Sequence, residues 1–169
     1  MKSGLLKFII ALPGTVLIFI PGLILWSFKN TTYSHSFSDI GQIGFWVGVI
    51  LLLMGIILAA WTVRLQLTKG QGTPAPWDPP KKLVVAGPYR HVRNPMISGV
   101  LFILTAEALL LRSWPIAWWM IIFIFLNMIY FPKFEERDLE KRFGEEYLEY
   151  KKNVPRWIPR ISPWNFDQS

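Results

Sequence analysis

Two short segments concentrate the side chains able to do chemistry. Residues 87–99 read GPYRHVRNPMISG and crowd Arg90, His91 and Arg93 between Pro88 and Pro95. The second, EERDLEKRFGEEYLEYKK, opens with Glu135, Glu136 and Asp138. Guanidinium groups suit an anionic or polar ligand, and carboxylates suit a cation or a mobile proton. Proline opening an apolar run leaves backbone N–H groups near it unpaired by the helix, where an anionic group binds well. The plainer use of the same charges is an interfacial salt-bridge layer that fixes the depth of membrane helices. There is no cysteine, and His35 and His91 are the only histidines. A catalytic thiol, a disulfide and a histidine-rich metal centre are therefore excluded.

The elements that must position these groups are apolar. Of the 169 residues 52% are hydrophobic and 17% charged, which is not a soluble composition. Residues 8–28, 40–63 and 114–132 hold no Asp, Glu, Lys or Arg, and each has about the length a helix needs to cross a bilayer. A fourth run, residues 95–111, is shorter and contains Glu107. The expected fold is all-α and integral to the membrane, with four transmembrane helices followed by a cytosolic amphipathic helix. It forms a single domain over 1–169, in which 1–66 supplies two N-terminal spans and 67–169 the other two spans with both charged segments and the C-terminal helix. Lys29 and Arg112 are the only basic residues on two of the flanking segments, and all others lie in the N-terminal tip, the 64–93 connector and the tail. The positive-inside rule then puts both termini and the connector in the cytoplasm, in the inner membrane if the source is bacterial. The net charge of +7 is a topology signal with some attraction to anionic lipid, not a nucleic-acid footprint.

Local patterns refine this plan. Gly44, Gly48, Gly55 and Ala59 form two small-xxx-small pairs for close helix packing. Arg112-Ser113-Trp114-Pro115 breaks the last apolar block into an antiparallel hairpin, which brings the two charged segments to one membrane face. The connector GQGTPAPWDPP is expected to be rigid and extended. On the C-terminal helix, Asp138–Arg142 and Lys141–Glu145 are spaced as i,i+4 pairs, and Phe143, Tyr147 and Tyr150 form an aromatic stripe. Gly144 inside that helix suggests close approach of another backbone or a ligand.

With both segments placed, the chain resembles a known family. LVVAGPYRHVRNPM, followed after two apolar runs by EERDLEKRFGEEYLEYKKNVPRWIP, is similar to the paired signatures of the isoprenylcysteine carboxyl methyltransferase and phospholipid methyltransferase superfamily. The resemblance implies S-adenosylmethionine bound at the cytosolic end of the last two spans, with a lipid-like acceptor entering from the bilayer and membrane lipids as surroundings. Carried over by position, the backbone around Leu83 and Val84 lines the cofactor, with Tyr89, Arg90, Asn94, Pro95 and Glu135 as further contacts. Arg93 and Glu136 fall at the reacting groups, and Ile97, Phe131 and Arg137 on the substrate side. Asn94 stands where eukaryotic members have histidine, and Ile97 where tyrosine is frequent. Phe131 replaces the arginine that meets a substrate carboxylate, for which Lys133 or Arg137 is the available substitute.

A carboxylate acceptor needs approach, alignment and exclusion of water more than a base. An amine must first lose its proton, for which Glu136 is the candidate. The carboxylate of an isoprenoid- or lipid-like molecule is the leading acceptor in this reading. A sterol-type NADPH reductase and a non-catalytic lipid-binding protein are the alternatives. Glu107 is expected to be structural, His91 to hydrogen-bond within its turn, and Trp157 to cap the site.

Overall fold

The computed structural model describes residues 10–75 and 77–165; the basic N-terminal tip with Lys2 and Lys7, and the start of the first apolar run, lie outside them. All regular structure among the described residues is helical. A π-helical stretch, Ile10–Phe19, contains Pro13 and continues into α1 (Ile20–Phe28). Then come α2 (Ile43–Thr68), α3 (Pro95–Leu110) and α4 (Trp114–Tyr130). A second π-helical stretch, Phe131–Glu135, leads without interruption into α5 (Glu136–Asn153). Pro132, the last residue of the charge-free run 114–132, lies inside this π-helical stretch, so the helix continues past it.

Two helical runs, Ile43–Thr68 and Trp114–Asn153, are long and apolar enough to cross a membrane. Only 11% and 22% of their most apolar windows are buried, so neither is the core helix of a soluble protein. Instead they present Ile50, Leu53, Ile57 and Trp61, and Trp118, Ile122, Phe125 and Ile129, outward. Rows at helical spacing that are apolar and exposed require a lipid solvent. The other two apolar helices, Pro13–Phe28 and Pro95–Leu110, are shorter.

The described residues form two compact units. One is built from the chain up to Ile57 together with Gly99–Leu126. Within it α3 ends in a Schellman-type cap: Arg112 takes a left-handed φ of 46°, Ser113 N–H donates to Ala108 (3.0 Å) and Arg112 N–H to Leu109 (3.3 Å). The loop after α1 completes that end, where Ser36 and Ser38 N–H groups donate to the Leu111 and Leu110 carbonyls. Thr105 Oγ1 donates to Met120 Sδ across the hairpin (3.0 Å), and Trp119 Nε1 donates to the Val16 carbonyl (3.2 Å). Glu107 is in this unit, with Oε2 buried and unpartnered among the described residues.

Gly48 and Gly55 are where α2 meets α3. A Cβ at Gly55 would lie 2.6 Å from Ile103 Cγ1 and 2.8 Å from the Gly99 carbonyl oxygen, whereas one at Gly44 would meet nothing within 4 Å. The packing pattern therefore holds at Gly48 and Gly55 and fails at Gly44. Gly55→Ala is expected to lower stability by about 1–3 kcal/mol, because a backbone oxygen cannot rotate away. Gly44→Ala is the control; equal melting temperatures in detergent would refute the close crossing.

The second unit comprises Leu58–Ser98 and the chain from Asn127 onward. Its connector is folded back, not extended. Thr73 N–H and Oγ1 both donate to the Asp78 carbonyl (2.7 and 3.0 Å), and Lys81 N–H returns to Gly70 (2.7 Å). A Cβ at Gly72 would sit 2.5 Å from the Pro79 oxygen, so the prolines close the loop by packing on glycine.

Candidate active site

The GPYRH segment is a short 3₁₀ turn, Gly87–Arg90, entered through extended Ala86. Gly87 has φ +54° and faces Trp61 at a distance that leaves no room for a side chain. The turn is sewn to the tail. Arg93 N–H donates to Pro155 (2.9 Å), Arg160 N–H to His91 (3.0 Å) and Trp164 N–H to Arg90 (3.0 Å). Two side chains return the contact: Arg90 Nε donates to the Trp164 carbonyl (2.9 Å), with its Nη2 on Asn165. His91 Nδ1 is 2.8 Å from the Arg160 carbonyl, so that nitrogen carries the proton. His91 does hydrogen-bond, but its ring reaches the tail and not, as expected from the sequence, its own turn.

Beneath this seam, Tyr147, Tyr150 and Val154 form a buried cluster against which Leu83, Val85, Leu139, Phe143 and Trp164 pack. Tyr150 Oη donates to the Tyr89 carbonyl (2.7 Å), and Gln66 Nε2 to Tyr89 Oη (2.9 Å). The aromatic stripe thus becomes the floor that fixes the turn. Gly144 interrupts α5 with φ 55° and ψ −130°, while a Cβ there would meet nothing within 4 Å. Its glycine is required by backbone conformation, not by a close neighbour. Lys141 and Glu145 form no ion pair among the described residues, whereas Asp138–Arg142 forms as expected (3.1 Å).

The two acidic neighbours have opposite environments. Glu136 is 3% exposed; Arg93 Nη1 is 2.7 Å from Oε1, Arg156 grips both oxygens at 2.6 and 2.7 Å, and Lys151 lies 3.4 Å away. Burial opposes its ionisation, but the Arg156 hydrogen bonds and the charges of Arg93, Arg156 and Lys151 hold its carboxyl below the usual range. Glu135 is half-buried and has no hydrogen bond or ion pair among the described residues. Burial pushes its carboxyl up to about 7, and the charges of Glu136 and Asp138 add to the shift.

Other polar groups are also without partners among the described residues. Gln66 Oε1, Arg93 Nε and Asn94 Nδ2 are buried and unpaired, and the backbone groups of Leu83, Val84 and Val85 make no hydrogen bond among the described residues. Pro95 and Val84 are buried, Ile97 is half-buried, and Lys133 and Arg137 are exposed. Phe131 is buried, with the Trp157 ring edge-on at 5.7 Å. Gln66 and Arg156 escape a charge-based reading of the sequence: one is a neutral amide at the end of an apolar helix, the other one of two arginines in a Pro-rich tail. The open depression of about 470 Å³ lined by Trp77, Lys81, Arg142 and Phe143 among others includes none of the residues anticipated for the cofactor.

A family model described as phospholipid methyltransferase matches residues 43–146, spanning α2 through the acidic pair and into α5. The chain belongs to that family. No curated protein and no solved structure gave a match. The methyltransferase is a membrane enzyme that uses S-adenosylmethionine and acts on a lipid. Its unpaired groups suit that cofactor: donors for a carboxylate at Asn94 and Arg93, an acceptor for an amino or hydroxyl group at Gln66, and a free peptide edge at Leu83–Val85 of the kind that pairs with a nucleobase.

Proposed function

We propose that the enzyme methylates the amine of a phospholipid headgroup at the cytosolic membrane face. The observation that carries this reading is the contrast between Glu135 and Glu136. A carboxylate acceptor needs a cation beside it in the site, yet Arg156 and the Nη1 of Arg93 are taken by Glu136, and Lys133 and Arg137, unpaired among the described residues, are exposed. The member of the acidic pair without a partner among those residues is Glu135, whose proton affinity lies near neutrality. A headgroup amine is an ammonium at neutral pH and must give up a proton before it has a lone pair, and Glu135 takes that proton. The role that the sequence leaves to Glu136 passes to its neighbour, because an acid held by three cations is a poor base.

When bound, S-adenosylmethionine supplies an electrophilic methyl group. Asn94, Arg93, Gln66 and the Leu83–Val85 backbone hold it, Tyr89 and Pro95 shape its surroundings, and Trp157 on Phe131 keeps water out. The topology that serves this chemistry has four spans with both termini cytoplasmic, which the placement of the basic residues supports.

The test is transfer of labelled methyl groups by the reconstituted enzyme. Vesicles containing phosphatidylethanolamine are expected to gain label, and a prenylated cysteine offered in the same assay is not. Labelling of the prenylcysteine carboxylate alone would overturn the amine assignment.

A further inference from the structure

At the junction of α4 and the tail, a row of aromatic rings runs from the end of the apolar helix to the strap. Trp157 meets Phe131 at 5.7 Å, Phe131 meets Tyr130 at 6.0 Å, and Tyr130 stacks on Phe134 at 5.5 Å. Within this row Phe131 is buried, but its neighbours are not. Tyr130 is 47% and Phe134 61% exposed; on the tail Ile158 is 80% exposed and Ile161 fully so. The tail's backbone is meanwhile committed to the turn through Pro155, Arg160 and Trp164, which holds these side chains at the surface. Lys133 and Arg137, on the same π-helical segment and the start of α5, are exposed and form no ion pair among the described residues.

An apolar surface continuous with a lipid-facing helix and edged by unpaired cations matches one partner in both chemistry and position, the headgroup boundary of an anionic bilayer. We propose that the tail strap rests in that boundary, with Ile158, Ile161, Tyr130 and Phe134 in lipid and Lys133 and Arg137 against anionic headgroups. The strap that covers the candidate site is then held from two sides, by the turn's hydrogen bonds and by the membrane. This rests on the cytosolic-face topology proposed above and not on the identity of the acceptor, which the methylation assay scores separately.

The cysteine-free sequence permits a direct test. An environment-sensitive fluorophore is attached to Ile158→Cys, Ile161→Cys and, as control on exposed α5, Glu149→Cys, in full-length enzyme reconstituted into mixed phosphatidylcholine and phosphatidylglycerol vesicles. Doxyl lipids in both leaflets report depth whichever side the strap occupies. At the two tail positions a blue shift is expected, with quenching about twofold stronger for doxyl near the headgroup than deep in the chain, and stronger with phosphatidylglycerol than without it. The Glu149 label is expected to stay solvent-like. A solvent-like spectrum at Ile161, a blue shift without doxyl quenching, or equal quenching at Glu149 would each overturn the proposal.

Discussion

Replacing Glu136 with glutamine is expected to cost about 3–5 kcal/mol and to loosen the tail, the largest stability effect in the molecule. The carboxylate is 3% exposed and is the counter-charge for Arg93, Arg156 and Lys151 at once. Glutamine keeps the volume and one acceptor but leaves the buried Arg93 guanidinium, and the partly buried one of Arg156, with no negative partner. Because Arg156 belongs to the tail and Arg93 to the turn, the same change cuts the electrostatic tie between them. A lower melting temperature in detergent and faster tryptic cleavage around Arg156 and Arg160 are the expected readings; wild-type values for both would refute the central role of Glu136. Acid provides a second check. The folded-state carboxyl is depressed below 4.5, so its contribution is fully present above that value and is lost as pH falls through the lower folded value. Wild type should lose stability there, and the glutamine variant should have none of that contribution left to lose.

Glu135→Gln is expected to leave the fold intact and to lower kcat by about 10²–10³. The variant should bind S-adenosylhomocysteine almost as the parent does. A calorimetric loss of that affinity would mean that Glu135 holds the cofactor and that the base is elsewhere. Parent activity should rise with pH through about 7 as the Glu135 carboxyl ionises, and the variant's residual rate should lack that limb. Stability has the opposite sign. A carboxyl raised in the folded state binds its proton there more tightly than in the unfolded chain. Between 4.5 and about 7 it therefore makes stability fall as pH rises, and the variant is spared that fall.

Much of this was readable in the sequence because it depends on periodicity and spacing. The apolar helices, the tight turn at Arg112–Trp114 and the aromatic stripe of α5 all follow from which residues recur at which interval. What was not readable depends on pairing across long intervals. The hairpin already brings Glu136 within reach of Arg93, a pairing that forms, but nothing in the sequence points to Arg156 and Lys151, because a basic tail gives no sign of which carboxylate it will meet. Gln66 carries no charge to draw attention, and its significance lies in an amide oxygen left without a donor. Gly144 reads in the sequence as room for another backbone or a ligand; a Cβ there would meet nothing within 4 Å, and the φ of 55° is what calls for glycine. The connector's prolines forbade a helix but did not reveal that Gly72 would let them fold back.

The seam between turn and tail also orders events in time. His91 is joined to a partner 69 residues further along the chain, and Arg90 to one 74 residues along. A ribosome therefore releases the turn, then two apolar helices, then the acidic segment, before the groups that saturate the turn exist. Until then its carbonyls and guanidiniums must be hydrated at the membrane surface. The candidate site is a late product of synthesis, assembled only after its helices have entered the bilayer.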